Sequence, residues 1–326
     1  MKRLSPEAFA RARRFLKTEA RPVDRARFEY RFERASAEHV LPELARFQNE
    51  DGGLGRALEP DLRTPSSSAL ATGLGLRVLK ELECPANHRM VRRAVAYLVA
   101  TYDASERVWR VAPPDTNAFP HAPWWHDEGG SLAQRFGGFR IIPRALLVGL
   151  LWHFSAAVPA GWLNEVTADA VRCIETVEVL GEGGGSDLEY AIGLAQTQGL
   201  PQHYQQRLIA RMREAIPVVT VRDPGQWGSY CVTPLRVVPS PRSLGADLIA
   251  DALQAHLDYE IEHQSPAGTW DPTWTWGNSY PEMWEQAKLE WRGHLTLETL
   301  TALRAFGRMT AVHEFTAWHT KPAQAG

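Results

Sequence analysis

The chain has 326 residues, 44% of them hydrophobic, with a formal net charge of −2. This is enough apolar material for a sizeable core in one domain or two, and a near-neutral chain offers nucleic acid no electrostatic attraction. Its three cysteines, Cys84, Cys173 and Cys231, are too few and too widely spaced for a disulfide framework, which points to a reducing compartment.

The first segment, MKRLSPEAFARARRFLK, lacks the apolar stretch of a leader. It reads as an amphipathic helix capped by Ser5, with Pro6 at its first position and Phe9 and Phe15 facing inward, so a cytoplasmic location is expected. Pro22 opens a second helix carrying Phe28, Tyr30 and Phe32, and Leu41, Leu44 and Phe47 line a third that ends at Gln48. Asn49 to Gly53 stops it, and Thr64-Pro65-Ser66 starts a helix of small apolar residues running to Leu82, the composition of a buried inner helix. A second unit has an outer helix over 87–102, a turn ending at Trp109, and a long irregular segment over 111–139 rich in Pro, Trp and Gly. A loop of that length in a compact domain is usually functional. Pro143 then opens an inner helix to Phe154.

The third unit spans 167–180, turns over 181–185, and resumes at Ser186-Asp187-Leu188-Glu189, a capping-box-like start. A further outer helix over 204–216 leads to an extended run over 217–221, a Gln226-Trp227-Gly228 turn, and a connection over 235–244. The stretch 246–263 is amphipathic, 295–306 is the closing inner helix, and only 309–318 and a polar tail over 319–326 follow. The longest apolar run, Ala145 to Trp162, is broken by His153, Ser155 and Pro159. It is too short to cross a bilayer and leaves room only for transient contact with a membrane surface.

Two stretches repeat one order of features. In Phe47–Leu79 and Gln264–Gly307 a Gln closes a helix, a Gly-rich turn follows, and a helix entered through polar residues comes after; Gln48 aligns with Gln264, Gly52 with Gly268 and Leu54 with Trp270. About five such helix pairs fit in the chain. Because the terminal units resemble each other most closely, closure is favoured over an open solenoid. The expected fold is all-α, an α/α toroid of helical hairpins formed as one domain over 1–326, with an aromatic-lined central cavity.

The pattern at Gln48-x3-Gly-Gly-x-Gly and Gln264-x3-Gly-Thr-Trp resembles the QW repeat of the terpene cyclase and protein prenyltransferase superfamily, whose members are α/α toroids of the squalene-hopene cyclase kind. The resemblance implies that Gln48, Gln264 and Trp270 tie helix ends together. The chain departs from the family's chemistry: it has no Asp-x-Asp acid motif and no DDxxD, and Ser229 stands where the prenyltransferase zinc Asp would precede Cys231.

In a toroid the residues just after each turn share one mouth, so site candidates come from there. Asp61, in Glu59-Pro60-Asp61, is the leading general acid, with Glu59 as the neighbour that keeps it protonated; the ordinary alternative is a cap ahead of Thr64. Glu285 is a second candidate acid, against a surface ion pair with Lys288. Trp124, Trp125, His126, Asp187, Trp227, Tyr230, Trp274, Trp276, Tyr280 and Trp284 are candidates for binding substrate. Their aromatic faces suit a carbocation or a sugar ring, although such side chains also serve as packing, the reading preferred for Trp270 and Trp291. Trp274 and Trp276 alternate on an extended segment, so both fall on one side. Asp187 and Glu189 suit a helix N-terminus. His121, His126-Asp127 and Cys231 have only loose metal-ligand spacing, and neither a metal nor a cofactor is expected.

Three functions remain open. The first is acid-initiated cyclisation or isomerisation of an isoprenoid or other apolar small molecule. The second is a carbohydrate-active hydrolase or lyase with paired carboxylates and Trp platforms, and the third a non-catalytic binding scaffold. The wall of the site separates the first two: apolar for isoprenoids, carboxylate-lined for glycans. Nothing in the sequence sets the oligomeric state.

Overall fold

The computed structural model describes residues 1–178, 180–181 and 185–310. The expected segments over 311–318 and 319–326, and the middle of the 181–185 turn, lie outside the described residues. Twelve α-helices and no strand occur among the described residues, so the fold is all-α. No described helix is long and apolar enough to cross a membrane.

Helix α1 (Pro6–Thr18) starts as its sequence dictates: the Ser5 hydroxyl accepts from the Ala8 N–H, Pro22 likewise opens α2 (Pro22–Phe32), and Phe9, Phe28 and Phe32 meet between them. The short α3 (Ala37–Ala45) stops earlier than expected, and Gln48 pairs with Leu54 in an isolated bridge instead. Helix α4 (Ala69–Glu81) begins at Ser68, whose hydroxyl accepts from Ala71, and is buried on nearly every side. Then follow α5 (Arg89–Ala100), α6 (Arg144–His153), α7 (Ala160–Thr176) and α8 (Ser186–Ala195). The N-cap of α8 is Gly185, so Ser186 does not form the expected capping box and its hydroxyl accepts from Arg236 instead.

Helix α9 (Gln202–Val219) runs through Pro217, where an extended run was expected. Burial of Ile216 holds its last turn, whose end is closed by the Thr220 N–H and hydroxyl donating to the Ile216 carbonyl. The short α10 (Pro234–Val237) and α11 (Ala250–Glu262) lead to α12 (Pro281–Ala305), one continuous helix of 25 residues that starts well before the 295–306 helix expected.

Each even-numbered helix packs on the odd-numbered one after it, from α2 on α3 to α10 on α11, while α4, α6, α8 and α10 pack in succession on one another. Helix α12 packs on both α1 and α2. The first and last described segments meet in a parallel bridge, with Leu4 N–H donating to the Arg308 carbonyl and Thr310 N–H to that of Leu4.

The two repeated turns are the same object. In each, the Gln amide donates to the carbonyl of the turn glycine, Gly52 or Gly268, and the N–H two residues beyond that glycine, Leu54 or Trp270, donates to a threonine on the following helix, Thr72 or Thr296. Each Gln also reaches a neighbouring helix: Gln48 donates to Met90 of α5, and Gln264 to Ala8 of α1. Both glycines need the left-handed backbone (φ +92° and +90°), and a Cβ on either would lie 2.5 Å from the backbone of α5 or α1.

Candidate active site

Asp61 sits in a turn closed by Leu62 N–H donating to the Glu59 carbonyl. One end of the long irregular segment pins that turn. Leu62 bridges His121, Ala122 N–H donates to the Asp61 carbonyl at 2.9 Å, and Arg63 N–H donates to Pro120 at 3.1 Å. Asp115, from the same segment, accepts from the hydroxyls of Thr64 and Ser66. Thr64 is therefore held by Asp115 and not by a capping Asp61, whose side chain is left for another task.

That task is to receive three indoles. Trp276 and Trp291 each donate an N–H to Oδ1 at 2.8 Å, and Trp274 donates to Oδ2 at 3.2 Å. A carboxylate has about four acceptor positions, so one remains, on Oδ2. Two elements supply the indoles. The extended segment puts Trp274 and Trp276 on one side as expected, and α12 supplies Trp291, which packs edge-on against Trp274 at 5.0 Å. Trp284, the other expected aromatic of α12, is buried against Trp276 at 5.8 Å.

Burial pushes the Asp61 carboxyl up to about 6, against the opposing pull of the three indole N–H groups and the Arg63 cation. Glu59 is raised well above the carboxylate range by burial and by the Asp61 charge beside it. Of the two, Asp61 has the three N–H donors that favour its ionised form, and Glu59 is the one pushed toward keeping its proton. Glu59 Oε2 is buried without a hydrogen-bond partner among the described residues, beside a crevice with no room for a water molecule.

Charged groups flank the indole cluster. Arg63 holds Glu290 of α12 through two bonds of 2.5 and 3.1 Å, and Arg21 holds Asp24 at 2.7 Å. Arg27 and Arg31 of α2 share Glu81 of α4 and Glu298 of α12 at 2.6–3.1 Å. Burial raises both carboxyls, but the two guanidinium groups outweigh it and leave both below the usual range. His294, one turn beyond Trp291, is pushed down to about 4 chiefly by burial and stays neutral.

A partly open aromatic rim adjoins the acid. Tyr230, 47% exposed, meets Trp274 edge-on at 5.6 Å, and Tyr280, 42% exposed, lies 5.6 Å from the His121 ring. His121 Nδ1 lies 2.6 Å from the Phe119 carbonyl, which can only accept. Nδ1 therefore carries the proton, and Nε2 accepts from Nδ1 of the exposed His126 at 3.2 Å. Cys231 faces the Gln226 carbonyl, and no group of three or more His, Cys, Asp or Glu is placed to hold a metal among the described residues.

The remaining candidates are not gathered here. Glu285 is exposed on α12, and the carboxylate of that helix that turns inward is Glu290. Asp187 accepts from the Gly181 N–H and braces its own turn. Trp227 donates to the Val221 carbonyl and packs on His256 and Tyr259. Trp125 packs on Phe136, and Trp124 is half-buried with its carbonyl accepting from Arg135. A separate groove of about 490 Å³, lined by Arg222, Asp247, Leu248, Asp251 and Ala255 among others, contains none of the candidates. Arg63, Glu290 and the role of Trp291 escaped the sequence reading. The only local signal was that Glu290 and Trp291 fall on the stripe of Trp284, Ala287 and His294, at helical spacing.

Comparison with family models, with curated proteins and with solved structures finds no match.

Proposed function

We propose that the helix pairs close into an α/α toroid and that the partly open aromatic rim beside Asp61 binds and acts on a carbohydrate, with Asp61 and Glu59 as the paired carboxylates. For the ring, the support is positional: α1 stands to the Gln264 turn as α5 stands to the Gln48 turn, so the first helix takes the place of the next one after the last. The polar ligand is supported by the surroundings of Asp61. Hydroxyl groups find both donors and acceptors there, in the Asp61 carboxylate and the Arg63–Glu290 pair.

The observation that carries the reading is the Asp61 carboxylate, fixed by three indoles with one position of Oδ2 left open. Fixed in this way and titrating near 6, Asp61 is suited to take a proton from a hydroxyl or a water at neutral pH. Glu59 retains the proton of the pair and prevents both from ionising. Trp274 and Tyr230 offer ring faces and edges on which a sugar can stack.

The test is a panel of oligosaccharides followed by reducing-end release and by ultraviolet absorbance of unsaturated product. Asp61→Asn should lower turnover by about 10²–10⁴-fold while saccharide quenching of tryptophan fluorescence persists. Binding of a polyprenol such as farnesol, with no saccharide bound or cleaved, would overturn the reading.

A further inference from the structure

Arg21, Arg27, Arg31 and Arg63 each hold a carboxylate oxygen at 2.5–2.9 Å. Arg77 on α4 and Arg236 on α10 do not. Among the described residues the ion pairs of both run to one carboxylate, Glu189 of α8, at 3.5 and 3.6 Å. Two guanidinium groups thus share the Glu189 carboxylate at a distance too long for good hydrogen bonds.

The pair also faces the candidate site. The Arg236 guanidinium lies 5.3 Å from the centre of the Tyr230 ring, Tyr230 meets Trp274, and Trp274 donates to Asp61. Its other end is fixed by donation to the Ser186 hydroxyl at 2.7 Å, so the fork is held in place. Solvent reaches the pair: the side chains of Arg77, Arg236 and Glu189 are 42%, 24% and 30% exposed.

We infer that Arg77 and Arg236 form a subsite for a carboxylate on the substrate, and that the substrate class is an acidic sugar, a uronate. The inference rests on the carbohydrate reading above. A carboxylate fits better than a phosphate for two reasons. Guanidinium forks match its planar pair of oxygens, and a single negative charge is repelled less than a double one by Asp61 and Glu189. Glu189 bridges the two forks and competes with the ligand for them.

Binding of D-glucuronate, D-glucose and inorganic phosphate, measured by calorimetry on the full chain, tests this. Glucuronate should bind at least tenfold more tightly than glucose. Arg77→Gln or Arg236→Gln should lower the glucuronate-to-glucose affinity ratio about tenfold, the loss of one charge-assisted hydrogen bond. Glu189→Gln should raise glucuronate affinity several-fold by removing the competitor, a gain that misfolding cannot mimic. Equal affinity for the two sugars, or a glucuronate preference untouched by all three variants, would overturn the subsite and leave the carbohydrate reading standing. Phosphate binding that depends on the same arginines, with neither sugar bound, would overturn both.

Discussion

Asp61 is held by neutral donors, and this decides how it responds to change. Indole N–H groups stabilise the ionised carboxylate without adding a fixed positive charge, so burial still dominates and the group titrates near 6 in place of its ordinary 3.8. The folded protein therefore keeps a proton on Asp61 that the unfolded chain releases between about pH 4 and 6, and stability contributed by this group falls as pH rises through that window. Asp61→Asn cannot titrate. Its amide also turns an N–H₂ towards at least one indole N–H, leaving a buried donor unpaired at a cost of about 1–3 kcal/mol. Urea titrations of both proteins from pH 4 to 7.5 should show the wild-type advantage largest near pH 4, shrinking to about pH 6 and level above 7. A constant difference across that range would mean that Asp61 is not held above its ordinary value. The sequence exposed Asp61 because Glu-Pro-Asp is a local cue, whereas it could not expose Trp291, whose partner is 230 residues away. Glu285 and Glu290 differ only in helical phase. The ion pair available to Glu285 with Lys288 could be read from the chain, but the Arg63 partner of Glu290, 227 residues off, could not.

The turns were legible at the level of elements because their chemistry is local. A Gln and a left-handed glycine recur four residues apart, and the Gln reaches the role its repeat implies; the threonine that closes each turn lies 18 residues beyond Leu54 in one and 26 beyond Trp270 in the other, a spacing that no local pattern announces. Helix ends were less legible. The Pro217 signal for a break was overridden by the burial of Ile216, which no local rule weighs. The glycines supply a contrast of sign. Gly52→Ala and Gly268→Ala each force a side chain into the left-handed region and against a neighbouring backbone at 2.5 Å, and should each destabilise by about 2 kcal/mol or more. Gly193→Ala, exposed in the last turn of α8 with nothing within 4 Å of its Cβ, should stabilise by about 0.5–1 kcal/mol. Denaturant midpoints of the three variants check both signs, and destabilisation by Gly193→Ala would show that α8 packs more tightly on that side than its glycine suggests.

Across the whole molecule, the contacts between the first helices and the 264–305 region are those a one-dimensional reading misses most. Hydropathy indicates which face of a helix is buried but not against what. The small-residue helix over 69–81 suggested an apolar interior, yet α2 and α12 meet it with arginines and glutamates paired across up to 271 residues of sequence. Gln264 is the hinge of this seam: it donates to Ala8 and Gly268, and accepts from Arg11 at 3.0 Å. Gln264→Ala removes all three bonds and should lower stability by about 1–3 kcal/mol. The location of the loss is more telling than its size. If α1 completes a ring, hydrogen exchange should quicken together in α1 and in the 264–270 turn, two regions some 250 residues apart, and leave α6 to α8 unchanged. In the matching variant Gln48→Ala, the quickening should fall in the 48–54 turn and α5, which holds the equivalent place. Exchange that quickens in the 264–270 turn alone would show that α1 stands without its clamp, and the first helix would then be a neighbour of the last turn and not the member that closes the circle.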